Sequence, residues 1–130
     1  MSEPQVLVVD DEGFVRALLV RWIAGWGYRV REAVSALEAL DAMAVEPADI
    51  VLCDIDMPGH DGLWLAEQVL ARWPATAIIM ATGRDESDVV RTSRTLGAVA
   101  YVLKPFDSYL LQQALDQASG RVRFRPSADR

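Results

Sequence analysis

Apolar residues gather in five short runs, at 6–9, 28–30, 50–53, 78–81 and 98–103, and each interval between them has room for one helix. The runs at 6–9 and 78–81 are apolar without alternation, the pattern of strands covered on both faces. Between the runs the apolar period changes to three and four. Residues 13–25 set Phe14, Leu18, Trp22 and Trp26 at helical spacing, with Gly27 as a stop and the two Trp read as core aromatics. Residues 35–44 open on a Ser35 cap and align Leu37, Leu40 and Ala44, while 62–72 follow Asp61 and align Leu63, Ala66 and Leu70. Residues 85–96 form the least apolar helix, with Val89, Val90 and Leu96 among Asp85, Glu86, Asp88, Arg91 and Arg94. A last helix at 107–118, capped by Asp107 or Ser108, turns Leu110, Leu111, Ala114 and Leu115 inward. Strand and helix alternate throughout, which predicts an α/β fold of βαβ units on a parallel sheet.

In such a sheet all strands end on one edge, and the residues at those ends share a pocket. Here Asp10 and Asp11 follow the first run, Asp54 the third, Thr82 the fourth and Lys104 the fifth. Three carboxylates, a hydroxyl and an ammonium suit a divalent cation and a phosphoryl group. Carboxylates supply hard oxygen ligands, and Lys and Thr hold phosphate oxygens.

Composition narrows the picture. A chain of 130 residues that is 52% hydrophobic fits one domain with a real core. A formal charge of −6 argues against direct nucleic-acid contact, which needs a basic face. The start, MSEPQ, has no secretory pattern, and no apolar stretch is long enough for a helical membrane span. The lone cysteine, Cys53, makes no internal disulfide and reads as a small core residue; a cytoplasmic protein is expected.

VVDDE at 8–12, DIDMPGHDG at 54–62, ATGRD at 81–85 and GAVAYVLKPF at 97–106 together resemble the receiver domain of two-component response regulators, of the chemotaxis-regulator type. The likeness covers residues 5–118. It implies a doubly wound, flavodoxin-like sheet of five parallel strands in the order 2-1-3-4-5. It implies a phosphoacceptor signalling domain, which catalyses only its own phosphorylation and dephosphorylation. Asp54 would take a phosphoryl group from a histidine kinase or histidine phosphotransfer protein. Asp11 and Asp54 would ligate Mg²⁺ directly, Asp10 through water, and Asp56 through its backbone carbonyl. Lys104 and Thr82 would hold phosphoryl oxygens, and Thr82 and Tyr101 would switch the 85–118 surface, where an output domain or downstream protein binds. Pro105 resembles the family residue that follows the lysine in a cis peptide. Asp56 and Arg84, where receivers vary, are expected to flank the pocket mouth and tune the phosphoryl lifetime, Asp56 shortening it and Arg84 lengthening it by pairing with Asp56.

Blander readings exist for each residue alone. Acids after a strand cap turns, Lys104 could be a solvated strand end, and His60, lacking ligand-spaced partners, reads as a loop histidine. Trp64 stands where receivers carry an exposed polar residue; it either folds onto the loop or offers a partner an aromatic anchor. Two rival functions share parts of the pattern. Asp54-Ile55-Asp56 reproduces the paired aspartates of haloacid-dehalogenase-type phosphatases, although that family carries them on the first strand. A flavodoxin-like FMN module would share the sheet order, but its first loop should cradle phosphate, and Asp10-Asp11-Glu12 would repel one. The receiver is expected to span 1–119. Residues 120–130, with four Arg and a Pro, read as a tail or the start of a linker, so the chain is a single-domain regulator or the receiver of a longer protein.

Overall fold

The computed structural model describes residues 3–83 and 97–123, with side chains as far as Gly120. The elements are β1 (Gln5–Val9), α1 (Gly13–Gly25), β2 (Arg29–Ala33), α2 (Ala36–Val45), β3 (Ile50–Asp54), α3 (Gly62–Arg72), β4 (Ala77–Thr82), β5 (Ala100–Leu103) and α4 (Ser108–Arg123). The predicted helix at 85–96, Arg84 and the end of the tail lie outside the described residues.

The strands form one parallel sheet in the order β2-β1-β3-β4-β5, as the motifs implied. Every residue of β1, β3 and β4 is buried, which explains their unbroken apolar runs: both faces are covered. Alternate residues divide between two cores. Leu7, Val9, Val51, Cys53, Ile78 and Met80 point toward α2 and α3. Val6, Val8, Ile50, Leu52, Ile79 and Ala81 point toward α1 and α4. The edge strand β2 is charged and partly exposed, which discourages pairing with another sheet.

Caps fall where the side chains predict them. Ser35 Oγ accepts from the Glu38 N–H while Glu38 accepts from the Val34 N–H. Asp61 accepts from the Trp64 N–H, and Asp107, not Ser108, caps α4 by accepting from the N–H groups of Tyr109 and Leu110. Gly27, at φ +96°, turns the chain out of α1.

Which helical stripe is buried differs from the sequence pattern. In α1 the buried residues are Leu19 and Ile23, with Trp22 and Trp26 flanking them, whereas Phe14 is 90% exposed and Leu18 is also outside. In α2 the sheet receives Ala36, Ala39 and Met43, leaving Leu37 and Ala44 exposed. In α4 Leu111, Ala114 and Leu115 face inward as expected, but Leu110 is exposed. These helices are apolar on several sides, so two stripes one residue apart compete. The sheet chooses the stripe that packs closest, in α2 the small alanines. Helix α4 also runs past the expected end at 118, through Gly120 to Arg123. A helix-interior glycine costs only about 1 kcal/mol, so it does not by itself end a helix.

Candidate functional site at the carboxyl edge of the sheet

The residues predicted to converge do so. Lys104 Nζ, at the end of β5, lies 3.0 Å from Asp54 Oδ2, 3.4 Å from Asp10 Oδ2 and 3.6 Å from Glu12 Oε1. One carboxylate oxygen from each of Asp10, Asp11 and Asp54 lies within 4.8 Å of the others. Asp10 and Asp54 are buried, whereas Asp11 is exposed. Thr82 ends β4 fully buried. Backbone bonds tie the strand ends together: the Ile55 N–H donates to the Ala81 carbonyl and the Lys104 N–H to the Thr82 carbonyl.

The two buried acids are each held by a backbone donor. Asp10 Oδ1 accepts from the Glu12 N–H and Asp54 Oδ1 from the Asp56 N–H. Burial holds the Asp54 carboxyl above the usual carboxylate range, outweighing its hydrogen bond and ion pair with Lys104, and the Asp10 charge pushes the same way. Burial pulls Lys104 down, yet its bonds and attraction to Asp54, Asp10 and Glu12 prevail and raise it. Three carboxylates facing one ammonium, with the Asp11 carboxylate beside them, leave the cluster short of positive charge. Hard oxygen donors at this spacing fit a divalent cation such as Mg²⁺, which needs little more than one or two carboxylates from a protein.

Other predicted positions fall around this cluster. Asp56 is exposed on the loop after β3, and Arg84 lies outside the described residues. Tyr101 is half-buried on β5, opposite Met80 of β4. It borders a groove of about 450 Å³ that Leu103, Pro105, Leu110 and Gln113 also line. The Lys104–Pro105 peptide is cis. Trp64 packs on the α2–α3 side of the core and stacks on His60 with ring centroids 3.8 Å apart, so it folds onto the loop. Cys53 is buried, and burial pushes its thiol up to about 12.

Four contributors had not been singled out for their roles at the site. Glu12 is a further Lys104 partner, and its place directly after Asp10-Asp11 was the available signal. Arg16 Nη1 donates to the Asp10 carbonyl from across one helical turn. His60 supplies the Trp64 stack, for which i, i+4 aromatic spacing was the clue. Gly62 sits where a Cβ would lie 2.3 Å from the Asp54 carbonyl oxygen; a single sequence carries no mark of that approach.

Residues 6–116 match the response regulator receiver domain family. The chain is 38% identical over 107 residues to the DNA-binding transcriptional regulator NtrC of Escherichia coli, covering 82% of this chain and 23% of that protein. It is 33% identical over 126 residues to the transcriptional regulatory protein ZraR of Klebsiella oxytoca, covering 97% of this chain and 28% of that protein. It is 34% identical to sporulation initiation phosphotransferase F of Bacillus subtilis, covering 82% of this chain and 86% of that protein. The chain therefore spans about a quarter of the two transcriptional regulators and most of the phosphotransferase. Among solved structures, chemotaxis protein CheY4 of Vibrio cholerae superposes with TM-score 0.85 at 25% identity, covering 90% of this chain and 99% of that one. A putative response regulator from Chloroflexus aurantiacus superposes with TM-score 0.86 at 29% identity, covering 92% of this chain and 99% of that one. The phosphatase and flavin readings lose their footing: the acidic pair follows β1, the Asp54-Ile55-Asp56 pair follows β3, and the whole pattern matches one family. Sequence, sheet order and acidic pocket agree, and the chain belongs to the response regulator receiver domain family of two-component signalling.

Proposed function

We propose that this domain accepts a phosphoryl group on Asp54 from a histidine kinase or histidine phosphotransfer protein. The observation that carries the reading is the buried Asp54 carboxylate, 3.0 Å from the Lys104 ammonium and within 4.8 Å of Asp10 and Asp11 oxygens. In the transfer, an Asp54 carboxylate oxygen forms a bond to phosphorus while the phosphorus–nitrogen bond of a phosphohistidine breaks, its electron pair returning to the imidazole. Lys104 then pairs with a phosphoryl oxygen, and the Thr82 hydroxyl donates to another. Asp10, Asp11, Asp54 and the Asp56 carbonyl are the groups that would hold Mg²⁺. When bound, the ion offsets the charge that the acids and the phosphoryl group bring together.

Thr82 and Tyr101 carry the change to the 85–118 surface. Supporting this, Thr82 ends the strand beside Asp54, and Tyr101 borders an open groove on the sheet edge. An output domain or downstream protein would read that surface. No helix among the described residues is long and apolar enough to cross a membrane, which fits a cytoplasmic signalling role.

Acetyl phosphate with Mg²⁺ should add one phosphoryl group to the wild type and none to Asp54→Asn, and chelation should block the gain. Peptide mapping of the label to another residue in Asp54→Asn would reject Asp54 as acceptor. Thr82→Ala should still accept phosphate yet lose the change in amide exchange across 85–118. An unaltered exchange response in Thr82→Ala would remove Thr82 from the switch.

A further inference from the structure

Resting on the cation site proposed above, we propose that Arg16 is the positioning residue that sets the direction of the Asp10–Asp11 acids, braced by Glu32 on β2. Arg16 Nη1 donates to the Asp10 carbonyl at 2.8 Å, and its Nε donates to Glu32 Oε1 at 2.8 Å. One planar guanidinium thus spans the β1–α1 loop and the neighbouring edge strand. The Asp10 side chain has its own anchor, Oδ1 accepting from the Glu12 N–H, and its backbone N–H donates to the Ala33 carbonyl. What those bonds leave open is the peptide plane between Asp10 and Asp11. That plane is rigid, so fixing the Asp10 carbonyl fixes the start of Asp11. Asp11 is exposed, and its carboxylate follows the backbone that carries it.

An arginine early in a helix also runs against the helix dipole, which favours acids there. Three acids already occupy residues 10–12, and the loop they crowd would relax outward without a donor at the Asp10 carbonyl. A local rule broken beside a site is a mark of function. Lysine carries the same charge but gathers its donors on one nitrogen, so it lacks the two separate, coplanar donor nitrogens that reach the Asp10 carbonyl and Glu32 here.

Mg²⁺ titrations read from the amide resonances of Asp11 and Glu12 test this, with urea unfolding run alongside. Arg16→Lys should weaken Mg²⁺ affinity about tenfold, the scale on which groups that orient ligands act. Glu32→Gln should weaken it less. Wild-type affinity in Arg16→Lys, or tighter binding in Arg16→Met, would show that Arg16 acts through its charge alone and overturn the proposal. A lowered urea midpoint with unchanged affinity would make Arg16 merely structural and overturn it equally. Wild type that shows no saturable shift with Mg²⁺ would remove the cation site itself, a failure distinguishable from that of the arginine brace.

Discussion

Gly62 is the most demanding position around the acceptor. A Cβ there would lie 2.3 Å from the Asp54 carbonyl oxygen, 2.8 Å from Ile55 Cα and 2.9 Å from the Asp54 carbonyl carbon, against an ordinary contact of 3.4–4 Å. All three are backbone atoms, so no side chain can swing aside. Gly62→Ala therefore forces α3 and the end of β3 apart by about an ångström. The bonds that resist are the Gly62 N–H to the Ile55 carbonyl at 3.0 Å and the Ile55 N–H to the Ala81 carbonyl at 2.8 Å. Overpacking of this kind costs about 1–3 kcal/mol, and weakening a backbone bond adds about 1. The better helix propensity of Ala returns at most about 1. A net loss of about 1–3 kcal/mol is expected in urea unfolding followed by circular dichroism. Because two of the three crowded atoms belong to Asp54, phosphoryl acceptance should slow as well. Gly120→Ala is the control: it is helical with nothing within 4 Å of the added methyl, and should gain up to about 1 kcal/mol. Equal stability of Gly62→Ala and wild type would refute the reasoning.

Three further outcomes are expected. Asp54 titrates higher in the fold than in the unfolded chain, so without divalent cation its stability cost appears as pH rises through the folded value and persists above it. Metal-free Asp54→Asn should thus gain on wild type as pH rises from about 4 to 7, and a pH-independent difference in urea midpoint would contradict this. Cys53 keeps its proton up to about 12 in the fold, against 9.0 unfolded, so between those values wild type should lose up to about 1.4 kcal/mol per pH unit, a slope Cys53→Ala should reduce. Lys104, also raised, supplies stability that is lost in the same alkaline direction and remains in Cys53→Ala; equal slopes between pH 8.5 and 10 would clear the thiol of any part. For phosphoryl lifetime, Asp56→Ala should slow decay and Arg84→Ala hasten it, with a coupling of about 0.5 kcal/mol or more in the double mutant. Strictly additive decay rates would dismiss the pairing.

Pocket membership was legible in the chain because it follows from pattern, whereas the strand order came with the family resemblance of the four motifs. Runs without alternation mark strands buried on two faces, and parallel strands bring their last residues to one edge, so the sequence alone assigns Asp10, Asp11, Asp54, Thr82 and Lys104 to one pocket. Caps were legible for the same local reason: Ser35, Asp61 and Asp107 bond to backbone only two or three residues away. Helix orientation was not. Phe14, Leu18, Leu37 and Leu110 have the right period yet face out, because rotating a helix that is apolar on several sides changes little locally and is settled by how closely it packs on the sheet. The Arg16 bond to Asp10, the Glu12 pairing with Lys104 and the approach of Gly62 to the Asp54 backbone depend on separations of a few ångströms between elements. Periodicity fixes direction along an element; only the packed structure fixes distance between elements.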